Sequence, residues 1–211
     1  MNTGLEKLIG VSLCLIFMNL GFILFAREVY SQIPTFIPIL LFNLFISIDV
    51  GIRPRSMKKD ESNRALAGGA FLSMPLVLLL PYLEYKVVTA HILSPLMVNW
   101  LSISGTVLLG VGGGCLLLSR IQIGKYGGPK IVIEETHQLV TRGMYRYIRH
   151  PIYLGFLGLF GGFSLAFGSF LMTFGICFIL FLVFRGRIEL EEKLLISTFG
   201  EEYLQYKKRT K

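Results

Sequence analysis

Five stretches of this chain are almost purely apolar. Residues 8–26, 33–52, 65–83 and 96–118 each come close to the roughly 20 residues that a helix needs to cross a bilayer. Asp49 is the only charged residue among them. Residues 152–184 then run 33 positions with no charge at all. As one straight helix that run would measure about 50 Å, against a hydrocarbon core of ~30 Å. Phe167-Gly168-Ser169 sits at its middle and is the natural break, so the pattern predicts a tight helical hairpin and six spans in all. The 119–151 segment is polar and mixed, with a turn signal at Lys125-Tyr126-Gly127-Gly128-Pro129 and a short extended run at Ile131-Val132-Ile133. Residues 187–208 carry helical spacing, weakened or bent at Gly200. The expected fold is all-α and polytopic: about six transmembrane helices, the last two a tight hairpin, followed by a cytoplasmic C-terminal helix. It divides into N-terminal membrane helices over 1–118 and a second, more polar region over 119–211. That region comprises a loop, the 152–184 hairpin and the 187–208 helix.

Composition agrees with that pattern. Hydrophobic residues make up 53% of the 211 and charged residues 16%, with a mean hydropathy of +0.64. A soluble domain carries about 25% charge, so a water-soluble globule is excluded. The +8 net charge is a topology signal rather than a nucleic-acid surface. Segments 1–7, 53–64, 119–151 and 185–211 hold every Lys and Arg except Arg27 and Lys86. Six spans place those segments on one face, and positive residues favour the cytoplasmic side. Both termini are therefore expected in the cytoplasm. Cys14, Cys115 and Cys177 each lie in an apolar run, an odd and scattered set that is neither a disulfide framework nor a metal site. Gly110 and Gly114 have the spacing of close helix packing, and Gly155, Gly158 and Gly162 share a second helix face. Asp49, near the end of its span, is expected to be paired or to snorkel to the interface.

Two polar clusters carry the candidate chemistry. The first is Gly143-Met144-Tyr145-Arg146-Tyr147-Ile148-Arg149-His150-Pro151-Ile152-Tyr153. Tyr145, Arg146 and Tyr147 read as an interfacial belt. Arg149 and His150 instead sit against the start of a helix opened by Pro151, whose free N–H groups make an anion-friendly pocket. The second cluster is Arg185-Gly186-Arg187-Ile188-Glu189-Leu190-Glu191-Glu192. A hairpin returns it to the same face, where His150, Arg149, Arg187 and Glu192 converge.

These clusters resemble the signature of the isoprenylcysteine carboxyl methyltransferase and phospholipid methyltransferase superfamily. The resembling residues are Gly143-x-Tyr145, Arg149-His150-Pro151-x-Tyr153, Arg187, Glu191-Glu192 and Phe199-Gly200-Glu201-Glu202-Tyr203-x-x-Tyr206. The resemblance covers roughly residues 120–208. It implies a multi-pass membrane methyltransferase using S-adenosylmethionine, with a lipophilic substrate entering from the bilayer. It further implies that His137, Leu139, Val140, Gly143, Tyr145, Arg149, His150, Pro151, Tyr153 and Glu191 frame the cofactor, that Arg187 and Glu192 act on the reacting groups, and that no metal takes part. The host membrane would be a bacterial plasma membrane or the endoplasmic reticulum. Members of the carboxyl methyltransferase branch often carry Trp in the loop before the His-Pro motif, where this chain reads Gly124-Lys125-Tyr126-Gly127-Gly128-Pro129. The resemblance implies as acceptor first the carboxylate of a prenylated cysteine or of a similar isoprenoid or lipid acid, with an ethanolamine headgroup amine or a thiol as the alternatives. A nicotinamide-dependent membrane reductase and a non-enzymatic carrier are the readings outside this chemistry. The carrier is disfavoured by the lack of an inverted repeat.

Overall fold

A computed structural model describes residues 3–31, 33–52, 64–126 and 138–210, and their regular structure is entirely helical. The long helices are α1 (Thr3–Phe25), α2 (Ile33–Ile52), α3 (Arg64–Glu84), α5 (Pro95–Ile123), α6 (Pro151–Ala166) and α7 (Leu171–Phe199). A π-turn (Tyr85–Thr89) and the single turn α4 (Ala90–Ile92) link α3 to α5, and α8 (Glu201–Arg209) ends the chain. Pro34–Ile52, Pro95–Ile123 and Leu171–Phe199 are long and apolar enough to cross a membrane, and Val11–Phe25 and Pro151–Ala166 are shorter apolar helices. The outer surface matches that reading, with Trp100, Val107, Ile121 and Phe174 more than half exposed. The turn signal after Tyr126 and the 131–133 run lie outside the described residues.

The helix ends follow local chemistry. Ser94 caps α5 by accepting from the Met97 N–H at 3.4 Å, with Pro95 at the first helical position. Pro151 opens α6 in the same way. Between α6 and α7 the chain turns at Gly168, whose φ of +75° lies in the left-handed region that favours glycine, so the hairpin breaks where the apolar pattern placed it. The tail differs from expectation. No helix begins at 187; α7 instead continues unbroken through Arg185-Gly186-Arg187 to Phe199. A lone glycine costs a helix only about 1 kcal/mol; the i,i+4 pair Arg185–Glu189 spans this one, and Arg187–Glu191 follows directly after it. The break falls at Gly200, with φ +52°, and the expected 187–208 helix is the end of α7 plus α8.

The tightest packing joins α5 to α6. A Cβ at Gly112 would lie 2.4 Å from the Gly158 carbonyl carbon, one at Gly162 2.3 Å from Leu109 N, and one at Gly155 2.6 Å from Leu116 N. Only glycine permits backbones to approach this closely. The Gly155, Gly158 and Gly162 face therefore packs, whereas Gly110 and Gly114 have nothing within 4 Å. The contacting stripe of α5 is Gly105, Leu109, Gly112 and Leu116, and Gly110 and Gly114 lie off it. Phe22, Phe42, Phe160, Phe163 and Phe167 fill the space between α1, α2 and α6, with ring centroids 4.8–6.4 Å apart.

Several polar groups inside the bundle are matched to one another. Asn19 and Asn43 exchange amide hydrogen bonds at 3.1 and 3.2 Å across α1 and α2. Asp49, fully buried, accepts from Arg120 Nε at 2.8 Å. Asp49 is thus paired across the bundle rather than reaching for the interface.

Gly112→Ala drives a methyl group into the Gly158 backbone, and a marked loss of thermal midpoint in detergent is expected. Gly110→Ala adds a methyl in open space and gains about 1 kcal/mol of helix propensity, so its midpoint should stay level or rise. Asp49→Ala strands Arg120 in the core and should cost about 3–5 kcal/mol, read from the same melting curves.

Candidate functional site

The site forms where α6 begins and the last turns of α7 pass it. Pro151 is buried at the first position of α6, and His150 caps that helix with its own side chain free of any capping bond. Arg149 and His150 are therefore held at the helix mouth. On α7, Arg187 and Glu191 stand one turn apart, with Glu192 beside them. α8 closes the third side. Gly200 reverses the chain, Tyr203 and Tyr206 are buried, and the Tyr206 hydroxyl donates to the Tyr145 carbonyl at 2.6 Å. That bond docks α8 on a 3₁₀ turn, Gly143–Arg146.

Cations and carboxylates alternate through the cluster. Arg149 Nε donates to Glu192 Oε1 at 2.9 Å, and Lys207 Nζ lies 2.5 Å from Glu192 Oε2. The Arg149 guanidinium also donates to the Thr210 carbonyl at 2.5 Å and the Lys207 carbonyl at 3.4 Å. Arg187 Nε donates to Glu191 Oε1 at 3.1 Å and to the Tyr153 hydroxyl at 2.8 Å, and that hydroxyl donates in turn to Glu191. His150 bridges the two carboxylates, with Nδ1 3.6 Å from Glu191 and Nε2 3.5 Å from Glu192. His150 Nε2 is buried without a hydrogen-bond partner. An aromatic wall continues toward the bilayer: Tyr153 stacks on His150 at 6.0 Å and on Phe184 at 4.7 Å, and Phe156 lies 6.1 Å from Phe184. Burial pushes the phenols of Tyr145, Tyr203 and Tyr206 up, so all three are neutral near pH 7.

The structure brings Arg149, His150, Tyr153, Arg187, Glu191 and Glu192 together as the two motifs suggested. Arg187 engages Glu191 one turn on, as their spacing of four suggests, and Glu192 serves Arg149 and Lys207. Gly143 opens the 3₁₀ turn with φ +63°, and a Cβ there would meet the Gln122 amide at 2.4 Å. The same amide accepts from the Met144 N–H at 2.7 Å. Leu139 and Val140 are half-buried in the irregular segment before this turn, and His137 lies outside the described residues. Tyr145 is not part of an interfacial belt: it is 6% exposed and its hydroxyl donates to the Ser119 carbonyl, whereas Tyr147 is 68% exposed. Lys207 and Phe184 were not singled out from the sequence. Lys207 reaches Glu192 only because the chain reverses at Gly200, and no local spacing signals such a contact.

A family model described as the isoprenylcysteine carboxyl methyltransferase (ICMT) family matches residues 105–197. Human protein-S-isoprenylcysteine O-methyltransferase is 36% identical over 115 residues, which cover 53% of this chain and 40% of the human protein. Over 135 residues the chain is 35% identical to Arabidopsis thaliana protein-S-isoprenylcysteine O-methyltransferase A, covering 62% of this chain and 68% of that relative. The match thus spans well under two thirds of the human protein and somewhat more than two thirds of the plant one. The structure of a eukaryotic intramembrane Ras methyltransferase, ICMT, superposes with a TM-score of 0.65 at 18% identity, over 97% of this chain and 73% of that one, which is a likeness of fold. The family match runs from within α5 through α6 and most of α7 and so takes in Arg149, His150, Tyr153, Arg187, Glu191 and Glu192 of the ion-pair cluster. The chain belongs to the isoprenylcysteine carboxyl methyltransferase family.

Proposed function

We propose that this protein is an intramembrane methyltransferase that esterifies the carboxylate of a prenylated cysteine, or of a similar isoprenoid or lipid acid, with S-adenosylmethionine as donor. The observation that carries the reading is the ion-pair cluster at the mouth of α6 and α7, with the unpartnered His150 Nε2 at its centre and an aromatic wall leading from it along apolar helices. The long helices correspond to six spans, with both termini and the cluster on the cytoplasmic face and the catalytic region running from residue 119 onward.

The residues present fit the donor. Its amino-acid moiety carries one positive and one negative group, and Arg149, Glu191 and Glu192 offer both complements side by side. His150 Nε2 has hydrogen-bonding capacity to spare in a buried position. Gly143, Tyr145, Pro151 and Tyr153 shape the walls, and Leu139, Val140 and His137 lie on the segment leading into them. When bound, S-adenosylmethionine supplies an electrophilic methyl group on a sulfonium. Arg187 holds the acceptor carboxylate, which is already ionised near pH 7 and needs a cation rather than a base in a low-dielectric setting. The protein's work is then to align the partners and exclude water.

The same geometry favours a carboxylate over an amine acceptor. An amine must lose a proton first, and a base must be free to take it. Glu191 and Glu192 are each already held by cations, Arg187 in one case and Arg149 with Lys207 in the other, and in this scheme His150 is engaged by the donor, so an amine acceptor would have to compete with the donor for it. Glu192 in this scheme acts on the reacting groups by fixing Arg149 and His150.

A labelled-methyl transfer assay with prenylcysteine mimics, ethanolamine phospholipids and small thiols should show turnover with the prenylcysteine mimics. Exclusive transfer to the amine or the thiol would overturn the choice of acceptor. His150→Ala should weaken S-adenosylmethionine binding by about 10-fold or more, about 1.4 kcal/mol, as measured by calorimetry in detergent. Arg187→Gln should lower kcat by about 100-fold with little change in cofactor affinity. The reverse split would place Arg187 on the cofactor instead.

A further inference from the structure

We propose that Glu84, at the end of the bundle opposite the ion-pair cluster, seats α7 and is thereby a positioning residue for Arg187, Glu191 and Glu192; its catalytic consequence rests on the function proposed above. α7 has no cap of its own. Phe170 occupies the N-cap position without a side-chain cap bond, which leaves the first N–H groups of an apolar helix without partners. Glu84, the last residue of α3, supplies what is missing. Its Oε1 accepts from the Leu171 N–H at 3.1 Å and its Oε2 from the Met172 N–H at 2.7 Å. The Ser169 hydroxyl donates to the same carboxyl group, as does the Thr89 hydroxyl at 3.3 Å. The group is 8% exposed and Thr89 and Ser169 are fully buried. An acidic side chain is also the group that the positive end of a helix dipole favours.

The surroundings are built around this contact. The Tyr85–Thr89 turn is π-helical, with the Ala90 N–H bonded to the Tyr85 carbonyl, and it returns the Thr89 hydroxyl to Glu84. Gly168, on the other side, takes φ +75° where a Cβ would lie 3.1 Å from Val98 and 3.4 Å from the Tyr85 ring. The 167–170 turn is thus held against the end of α3 by both shape and hydrogen bonds.

The ion-pair cluster and the Phe184 ring hold the far part of α7, so Glu84 is the polar tether at its start, and between the two the helix has only half-buried contacts such as Ile176 and Leu180. None of its residues is buried, and Gly175 and Gly186 have nothing within 4 Å of a Cβ position. It is also one unbroken helix from Leu171 to Phe199, so a displacement at its start travels to its far end. Arg187, Glu191 and Glu192 follow Leu171 by about 24–32 Å along the axis. A shift of one residue along the axis is about 1.5 Å and a turn of about 100°, and a misplacement of ~1 Å at a reacting centre costs about 100-fold in rate.

The native Cys177 on α7 provides a readout independent of activity. A Cβ at Gly161 of α6 would lie 2.7 Å from the Cys177 sulfur, within the range from which a disulfide closes after a small side-chain rotation. In a Cys14→Ser/Cys115→Ser background, Gly161→Cys should cross-link rapidly to Cys177 under mild oxidation. Adding Glu84→Ala should slow that cross-link by about 5-fold or more. Without the added cysteine, Glu84→Ala should lower kcat by about 10-fold or more and leave KM for the acceptor near its original value. Completing the 161–177 disulfide in the Glu84→Ala protein should then restore turnover, because a covalent tether replaces the lost seat. An unchanged cross-linking rate in Glu84→Ala overturns the proposal, whatever happens to turnover. A slowed cross-link whose completion leaves turnover low overturns the catalytic part. If Glu84→Ala does not fold, Ser169→Ala with Thr89→Val removes two of the four donors and is read in the same way. If the parent protein transfers no methyl group at all, the function proposed above fails, while the cross-linking rates still decide whether Glu84 seats α7.

Discussion

The backbone contact between α5 and α6 is the constraint from which the rest of the structure follows. Two helices approach within van der Waals contact of their main chains only where neither carries a Cβ, and Gly112 against Gly158 meets that condition. The same seam brings Gly155 onto Leu116 and lets the Cys115 thiol reach the Pro151 carbonyl at 3.4 Å. Pro151 is the first residue of α6, so the seam also determines where Arg149 and His150 stand. At its other end the Ser102 hydroxyl donates to the Ala166 carbonyl at 2.7 Å, next to the turn that sends the chain into α7. The candidate site is thus tied to the most rigid pairing in the molecule.

An apolar bundle cannot leave polar groups unmatched, because lipid offers them no partner. The described residues answer this at separate levels of the bundle. Asp49 with Arg120, the Asn19–Asn43 pair and Glu84 with its donors are each closed within the protein. Outside the spans, Glu28 accepts from Tyr82 and Lys86, which hold its carboxyl well below the usual range, at about 2. Ser164 Oγ, Tyr203 Oη and His150 Nε2 are buried without a hydrogen-bond partner, and of these His150 Nε2 lies where the two motifs meet.

Each carboxylate of the cluster is held by at least one cation, Glu191 by Arg187 and Glu192 by Arg149 and Lys207, and neither is left bare in a half-buried setting. Such an arrangement suits the holding of charged ligands better than the removal of protons. α8 contributes through its fold rather than its charge alone. The buried rings of Tyr203 and Tyr206 press it against the 143–146 turn, and that docking brings Lys207 to Glu192.

Much of this was legible in the order of residues. The apolar runs marked the helices, Gly168 marked the hairpin, and the Arg149-His150-Pro151 and Arg187 to Glu192 motifs marked both sides of the candidate site. These are local properties, set by side-chain chemistry within a turn or two. What lay beyond reach were contacts between residues distant in sequence. Gly110 and Gly114 have the same spacing as packed glycines, yet the orientation of α5 about its axis points Gly112 at α6 instead. Asp49 found Arg120, Glu192 took Arg149 from the other motif, and Glu192 took Lys207 across the Gly200 reversal. The linear order determined which groups were available and on which helix each stands. The tertiary structure alone decided which of them meet, because helix rotation and close approach depend on the packing of every neighbour at once.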